Sequence, residues 1–530
     1  MWTHLGGDPD ADARSGLPGV ALPRRELVAG LGTFDHAADE PAAPDGERRK
    51  HELADLALDG GRRRVPVVRL LLRQTPDRRH GDPSPRESAP APRPEASSVL
   101  YQPVDNEGED GHNLPHGREP RWRPGVTTLA LEYFRSAPRY VGARTLGSKA
   151  PGLIAGPLAP LRLASVKDPE PPAGRSGWAR VRPLLSGICG SDLSTLAGRS
   201  SFYFSPLVST PFVPGHEVVG ELLDDCGDLE AGRRVVLSSV LSCEARGEEP
   251  PCANCAAGDT GRCDRVAVGH LKPGLQTGYC NQTGGGWSRM FVAHRSQLHA
   301  APDGLSDAVA VLVEPFACAI HAALRARVEP DQSVLIVGAG TVGILTLIAL
   351  RLFAQPGHVT VAAKHEKQRS AARLAGADEV VRPEHATKSV RRHSSALKLT
   401  PERGPDFLMG GADVAIECVG SRSGLDLALR SVRAGGRVVV SGIPATGADL
   451  TPLWFRELDL VGAYTSGTET LPDGTREPTF DLAIHSSQDL PILERLVGAT
   501  YPLDRWRDAI DHAMSAGKLG TFKVAFAPQG

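Results

Sequence analysis

The strongest constraint on this 530-residue chain is residues 334–343, Val-Leu-Ile-Val-Gly-Ala-Gly-Thr-Val-Gly, where an apolar run breaks into three spaced glycines and then resumes. Such a run fits a buried strand, a tight turn and the first turn of a helix. Gly338 permits the turn, Gly340 lets backbone approach a pyrophosphate, and Gly343 lets helix and sheet pack closely, with Thr341 and Val342 between them. The same glycines argue against reading 334–350 as a membrane span.

Around that loop the pattern alternates. Residues 359–363, 414–418 and 437–441 read as buried strands, separated by helical stretches such as 370–374 and 424–433. This is the signature of a parallel, doubly wound sheet, so the chain is placed in the α/β class. From about Thr127 to Ala300 the reading is instead of turn-punctuated strands, and after about Leu460 it returns to loops, short strands and a late helix near 506–516. A front and back of one character around an α/β centre suggest an inserted cofactor domain. Residues 1–125 differ from both. They are rich in Arg, Pro, Gly, Ala and Asp, and bury too little apolar surface to offset ordering entropy, so a disordered extension is expected there.

Three separated segments carry metal-ligand chemistry. Residues 187–192 (Gly-Ile-Cys-Gly-Ser-Asp) are followed by 214–217 (Pro-Gly-His-Glu) and by 313–315 (Val-Glu-Pro). A catalytic zinc needs three protein ligands and an open position. Cys189 offers a thiolate, His216 an imidazole, and Glu314 or Glu217 a carboxylate. Asp192 is placed to hold the other ring nitrogen of His216, and Ser191 to pass an alcohol proton outward. Metal and dinucleotide on one chain point to alcohol–carbonyl redox chemistry.

Composition narrows the partners. A formal net charge of −2, with acidic and basic residues intermixed, gives no electrostatic reason to expect nucleic acid or a membrane surface. Nine cysteines, three of them at metal-knuckle spacing, and a polar stretch over residues 1–12 suggest reduced thiols in a cytoplasmic protein. The partner expected is a small molecule.

With those residues in view, the chain from about Thr127 onward resembles the zinc-dependent medium-chain alcohol dehydrogenases, most of all the sorbitol and threonine dehydrogenase branch, where a Val-Glu-Pro glutamate replaces a third cysteine. The resemblance implies a Rossmann domain (316–460) inserted in a GroES-like, mainly-β catalytic domain (126–315, with a return at 461–530). It implies Cys189, His216 and Glu314 around a catalytic zinc, with Glu217 taking or sharing the third place in some members. It also implies a structural zinc on Cys252, Cys255 and Cys263. The family's first cysteine falls at Glu249, so Cys243 would have to loop round, and the competing view is a lobe without metal. The histidine that often follows five places after the catalytic cysteine is Ser194 here, which leaves the end of a proton relay open. Relatives of this architecture commonly form dimers or tetramers, so a homo-oligomer is expected.

The expected function is a zinc-dependent oxidoreductase moving hydride between a secondary alcohol or polyol, with its ketone or aldehyde, and NAD(P). The alternatives are a zinc-independent quinone or enone reductase of the same superfamily and, in another class, a non-catalytic zinc-knuckle binding protein. Where the second strand of the α/β unit ends, an acidic residue would grip a ribose 2′-hydroxyl; the chain has Ala363, then Lys364, with Arg369 one turn on. That favours NADP over NAD, unless Lys364 and Arg369 are ordinary helix charges and Glu366 binds the ribose. Val419 and Gly442 are expected to border the cofactor crevice. Ser191, Phe202, Tyr203, Phe204, Trp454 and Phe455 are expected to line the substrate pocket.

Overall fold

The computed structural model describes residues 127–147, 151–444 and 447–530. The extension expected over residues 1–125 lies outside them.

Six parallel strands form one sheet: Ser333–Val337, His358–Ala362, Glu379–Val381, Ala412–Glu417, Val432–Val440 and Asp459–Gly462. Counted along the chain, they lie side by side in the order third, second, first, fourth, fifth, sixth. The order reverses between Ser333–Val337 and Ala412–Glu417, and the crevice beyond the carboxyl ends at such a point is where open α/β sheets take ligands. Ser333–Val337, His358–Ala362 and Ala412–Glu417 are short, largely apolar and buried, which suits a sheet covered on both faces. One face packs against the helices Val313–Arg325 and Thr341–Phe353 in the largest core cluster; the other packs Leu335, Val337, Leu425, Leu429 and Val438.

A second sheet has seven strands. Trp178–Gly187 pairs antiparallel with Val218–Leu222, Phe291–His294 and Lys523–Phe526; beyond these lie Arg234–Leu237, Leu298–Ala300 and Val497–Tyr501. Its strands come from before and after the six-stranded unit, so the α/β unit is an insertion. The helix Val313–Arg325 runs across the expected boundary at 315/316, and the last parallel strand ends at Gly462. The front half departs from its strand-only reading at the helix Ala137–Leu146, at the short helices Gly190–Leu196, Cys243–Arg246 and Ala253–Ala256, and at several single 3-10 turns. Only Ala143 of Ala137–Leu146 is buried, so no apolar period marks it.

Candidate active site

The strand Trp178–Gly187 ends at a turn that places Cys189 just before the helix Gly190–Leu196. The Asp192 carboxylate accepts the Cys189 N–H at 3.0 Å, which fixes that turn. Opposite it, His216 and Glu217 lead into Val218–Leu222. Gly215 has φ +102, and a Cβ there would lie 2.6 Å from Trp287, so the approach of His216 demands glycine. Gly187 is similarly constrained, since a Cβ would overlap the Glu217 carboxylate.

One sulfur, nitrogen and oxygen from Cys189, His216 and Glu217 all lie within 4.8 Å of one another. His216 Nε2 is 3.3 Å from Ser191 Oγ, and Nδ1 is 3.6 Å from Asp192 Oδ1, too long for a hydrogen bond, so that buried nitrogen is unpartnered. Glu314, in the first turn of Val313–Arg325, is buried beside this group and accepts from Cys318 Sγ at 3.4 Å. Cys318 sits one helical turn after Glu314, which is what brings its thiol to that carboxylate.

The residue that sequence reasoning missed is Lys523. Its Nζ donates to both carboxylate oxygens of Glu217 at 2.6 Å and to Ile188 O at 3.4 Å, with both side chains almost fully buried. Tyr279 was missed as well: its hydroxyl donates to Asp192 Oδ1 at 3.4 Å and its ring lies against His216. Burial pushes the Glu314 carboxyl up to about 7, with Glu217 adding to the effect against His216 and Lys523. Burial disfavours a charged His216, but Asp192, Cys189 and Glu314 together hold its imidazole well above the usual range. Burial raises Asp192 as well. Three carboxyl groups and a thiol therefore face one lysine in a desolvated space. A soft and hard donor set with that excess of negative charge fits a zinc dication.

A second cluster gathers Cys243, Cys252, Cys255 and Cys263, with sulfurs within 4.8 Å of one another. Cys243 Sγ lies 3.7 Å from Cys263 Sγ and accepts the Cys252 N–H at 3.3 Å; Cys263 Sγ accepts the Arg265 N–H at 3.3 Å. The loop that carries Cys243 round is anchored by Arg246, fully buried, which donates to the carbonyls of Leu241, Val268, Leu271, Lys272 and Gly274. Despite its burial, Cys252 is pulled down to about 6 by backbone N–H groups and neighbouring thiols, while burial and Cys243 push Cys263 up to about 11 against Arg265 and Cys255. Crowded thiols that cannot all ionise together are what a tetrahedral Zn²⁺ would resolve.

At the switch point, Gly338 has φ +99, and a Cβ there would lie 2.5 Å from Val419. A Cβ on Gly343 would overlap the Gly338 carbonyl oxygen, whereas one on Gly340 would meet nothing within 4 Å. The loop thus closes tightly on the protein side and leaves open space above Gly340, a cradle that suits a pyrophosphate. Thr341 Oγ1 donates to Phe522 O at 2.8 Å, so this loop is tied to the residue beside Lys523. Glu417 accepts the Val419 and Gly420 N–H groups at 3.0 Å and shapes the loop that exposes Val419; its backbone carbonyl accepts the Gly442 N–H at 2.9 Å. Arg369 differs from expectation. It is buried and donates to the Ala363 and Lys364 carbonyls and to Glu366, because its position in the first helical turn folds it back over the end of the strand. Lys364 is exposed and Ala363 fully buried.

Comparison with known proteins decides what this arrangement belongs to. Residues 175–303 match the alcohol dehydrogenase GroES-like domain, and residues 341–477 match the zinc-binding dehydrogenase family. The chain is 30% identical over 290 residues to L-idonate 5-dehydrogenase of Vitis vinifera, covering 54% of this chain and 72% of that protein. It is 30% identical over 292 residues to sorbitol dehydrogenase of Arabidopsis thaliana, covering 54% and 73%. The chain belongs to the zinc-dependent medium-chain alcohol dehydrogenase family. In fold it is similar to a putative zinc-binding dehydrogenase from Sinorhizobium meliloti 1021 bound to NADP (TM-score 0.53, 23% identity, 76% of this chain and 99% of that one). It is also similar to 2R,3R-butanediol dehydrogenase from Bacillus subtilis (TM-score 0.54, 20% identity, 76% and 99%).

This alcohol dehydrogenase is therefore an oxidoreductase of the NAD(P)-dependent, zinc-containing class, moving hydride between an alcohol and a nicotinamide. Nothing in the comparisons favours a zinc-independent quinone reductase or a zinc-knuckle binding protein. Among its described residues, no helix is long and apolar enough to cross a membrane, and all nine cysteines are free thiols. Of the residues expected to wall the dehydrogenase's substrate pocket, Ser191 is at the cluster, while Phe202 and Tyr203 are more than 70% exposed. Trp454, at 80% exposure, stands in the short helix Thr451–Phe455 that leads into the last strand of the parallel sheet.

Proposed function

We propose that Cys189, His216 and Glu217 hold the catalytic zinc of this dehydrogenase, and that its substrate is a secondary alcohol or polyol. The convergence of those three donor atoms within 4.8 Å carries the reading. Glu314, buried beside them, is the carboxylate that exchanges with Glu217. When bound there, zinc supplies Lewis-acid polarisation of the alcohol oxygen. Asp192 faces the His216 ring from the Nδ1 side, and Lys523 holds the Glu217 carboxylate aimed at the cluster. Ser191, beside His216 Nε2, takes the alcohol proton. Gly338, Gly340, Thr341, Val342 and Gly343 seat the pyrophosphate, and Val419 and Gly442 border the crevice toward the adenosine and nicotinamide. The idonate and sorbitol dehydrogenase relatives support a polyol as the substrate class.

NADP is the favoured cofactor. The strand His358–Ala362 runs into Ala363 rather than a carboxylate, and the exposed Lys364 is the cation free to meet a 2′-phosphate; Arg369 supports that turn from within. Cys243, Cys252, Cys255 and Cys263 hold a second, structural zinc. The cofactor domain runs from the helix Val313–Arg325 to the end of the parallel sheet at Gly462, and the catalytic domain comprises the described residues on either side of it. Free thiols suit a reducing cytoplasm, and the edge strand Asp459–Gly462, which among the described residues pairs only with Val432–Val440, suits a homo-oligomer.

The test is anaerobic mixing of zinc-loaded protein with NADP⁺ or NAD⁺ and a panel of polyols and secondary alcohols, following reduced nicotinamide by absorbance. Turnover is expected, with a higher kcat/KM for NADP⁺. Cys189→Ser is expected to abolish it and to lower bound zinc by about one ion per chain. Full turnover in that variant would remove the metal from the mechanism.

A further inference from the structure

Of the two cations expected beside the adenosine ribose, only Lys364 is exposed; Arg369 is turned inward onto the Ala363 and Lys364 carbonyls and onto Glu366. A phosphomonoester carries nearly two negative charges at neutral pH, more than one lysine matches. A second cation stands close by, on the other domain. The turn after His358–Ala362, with the helix Glu366–Leu374 that it opens, sits against the last turn of the helix Trp506–Leu519. A Cβ on Gly517 would lie 2.8 Å from the His365 ring, and one on Gly520 would overlap the Lys367 stem, so these glycines let the two helices meet. The bond from Thr341 Oγ1 to the Phe522 carbonyl joins the same two domains. Lys518 follows Gly517 directly, one chain step from the backbone under His365, and is exposed on a flexible four-carbon stem. Among the described residues, neither Lys364 nor Lys518 is paired with a carboxylate, and Glu366, the one acid of residues 363–369, is taken up by Arg369 and Arg373. The His365 imidazole feels that excess: burial, then Lys364, Lys518 and Arg369, hold it below its usual range.

We propose that Lys518 is a cofactor-specificity residue of this dehydrogenase: with Lys364 it meets the 2′-phosphate of NADP, so that the phosphate is gripped from both domains. The proposal rests on the NADP reading above. Two unpaired cations on either side of a domain junction repel one another, and a phosphate between them turns that repulsion into two attractions. NAD presents only a hydroxyl there, so Lys518 gives it no comparable gain. A lysine in the last turn of a helix also interacts favourably with the carbonyls at that helix end. That second role is indifferent to which cofactor is bound, so cofactor binding separates the two.

Dissociation constants of NADPH and NADH, read from the fluorescence of the reduced nicotinamide with zinc-loaded full-length enzyme, test this. Lys518→Met is expected to raise the NADPH constant about 10-fold, the scale of one charge-assisted contact at a solvated site. The NADH constant, zinc content and melting temperature are expected to stay at the wild-type level. Lys518→Arg is expected to bind NADPH as the parent does, and Lys518→Glu to bind it more weakly than Lys518→Met. The wild-type preference for NADPH is expected to shrink as salt is raised, because exposed charges are screened. An NADPH constant in Lys518→Met equal to wild type would overturn the proposal; if Lys364→Met still weakens NADPH, the NADP reading stands without it. Equal losses for NADPH and NADH in Lys518→Met would also overturn it, since they mark a helix-end role. A wild-type enzyme that binds NADH as tightly as NADPH would instead bring down the NADP reading, and this proposal with it.

Discussion

Lys523 and Glu217 form a buried ion pair in which each group would be strongly disfavoured alone. Both side chains are at most 5% exposed, and Nζ reaches both carboxylate oxygens at 2.6 Å. Taking two ions out of water costs several kcal/mol each, so removing one partner leaves the larger penalty behind. Lys523→Met is expected to destabilise the enzyme by about 3–5 kcal/mol in urea unfolding at a fixed zinc concentration. Adding Glu217→Gln to it is expected to recover most of that loss, because the stranded charge is gone. A double variant no more stable than Lys523→Met alone would show that the pair is not coupled as drawn. The motif residues of this site were legible because Cys189, His216, Glu217 and Glu314 sit in short strings whose chemistry is local. Lys523 was not, since its partner lies 306 positions away and nothing near it in the chain is acidic. The one available hint was a lysine opening Lys523–Phe526, a strand in which every residue is buried.

The four-cysteine lobe shows the same division at the scale of an element. Cys252, Cys255 and Cys263 declare themselves by spacing, but Cys243 joins them only because residues 244–251 turn back through Gly247 (φ +64), with Arg246 bonded to five carbonyls beneath. Loop closure of this kind is a tertiary fact that no local period encodes. Cys243→Ser is expected to lower bound zinc by about one ion per chain and to reduce the melting temperature, since a closed tetrathiolate site contributes folding energy directly. The folded fraction is expected to keep its turnover. Zinc content equal to wild type would mean that the lobe closes without Cys243. Four of the six parallel strands, by contrast, were readable as apolar runs, because strands buried on both faces are continuous in that way; Glu379–Val381 and Asp459–Gly462, at most half-buried, were not. The helix expected at 370–374 begins earlier, at Glu366, since His365 and the inward-turned Arg369 extend it over polar residues with no apolar stripe.

At the scale of the molecule, the parallel sheet ends on one side in Asp459–Gly462, whose outer edge pairs with no other strand among the described residues. An uncovered edge is a template for another chain. Leu460 on that strand is 39% exposed, and the helix that leads into it exposes Trp454 at 80% and Phe455 at 61%, with Leu450 at 51% just before it. Apolar surface grouped beside a free edge marks an interaction site more often than a solvated face. A net charge of −2 puts little repulsion in the way of two copies meeting there. The wild-type enzyme is therefore expected to be a dimer or larger by light scattering at micromolar concentration. Leu460→Lys combined with Trp454→Asp is expected to release a folded monomer, because both changes place charge on the apolar patch without touching the buried core. A monomeric wild type would refute the interface. The same variant also weighs the aromatic wall expected of the substrate pocket. If the monomer keeps the KM of the parent for its alcohol, Trp454 serves association and not substrate. If KM rises while kcat is held, Trp454 reaches the pocket only once two chains are joined.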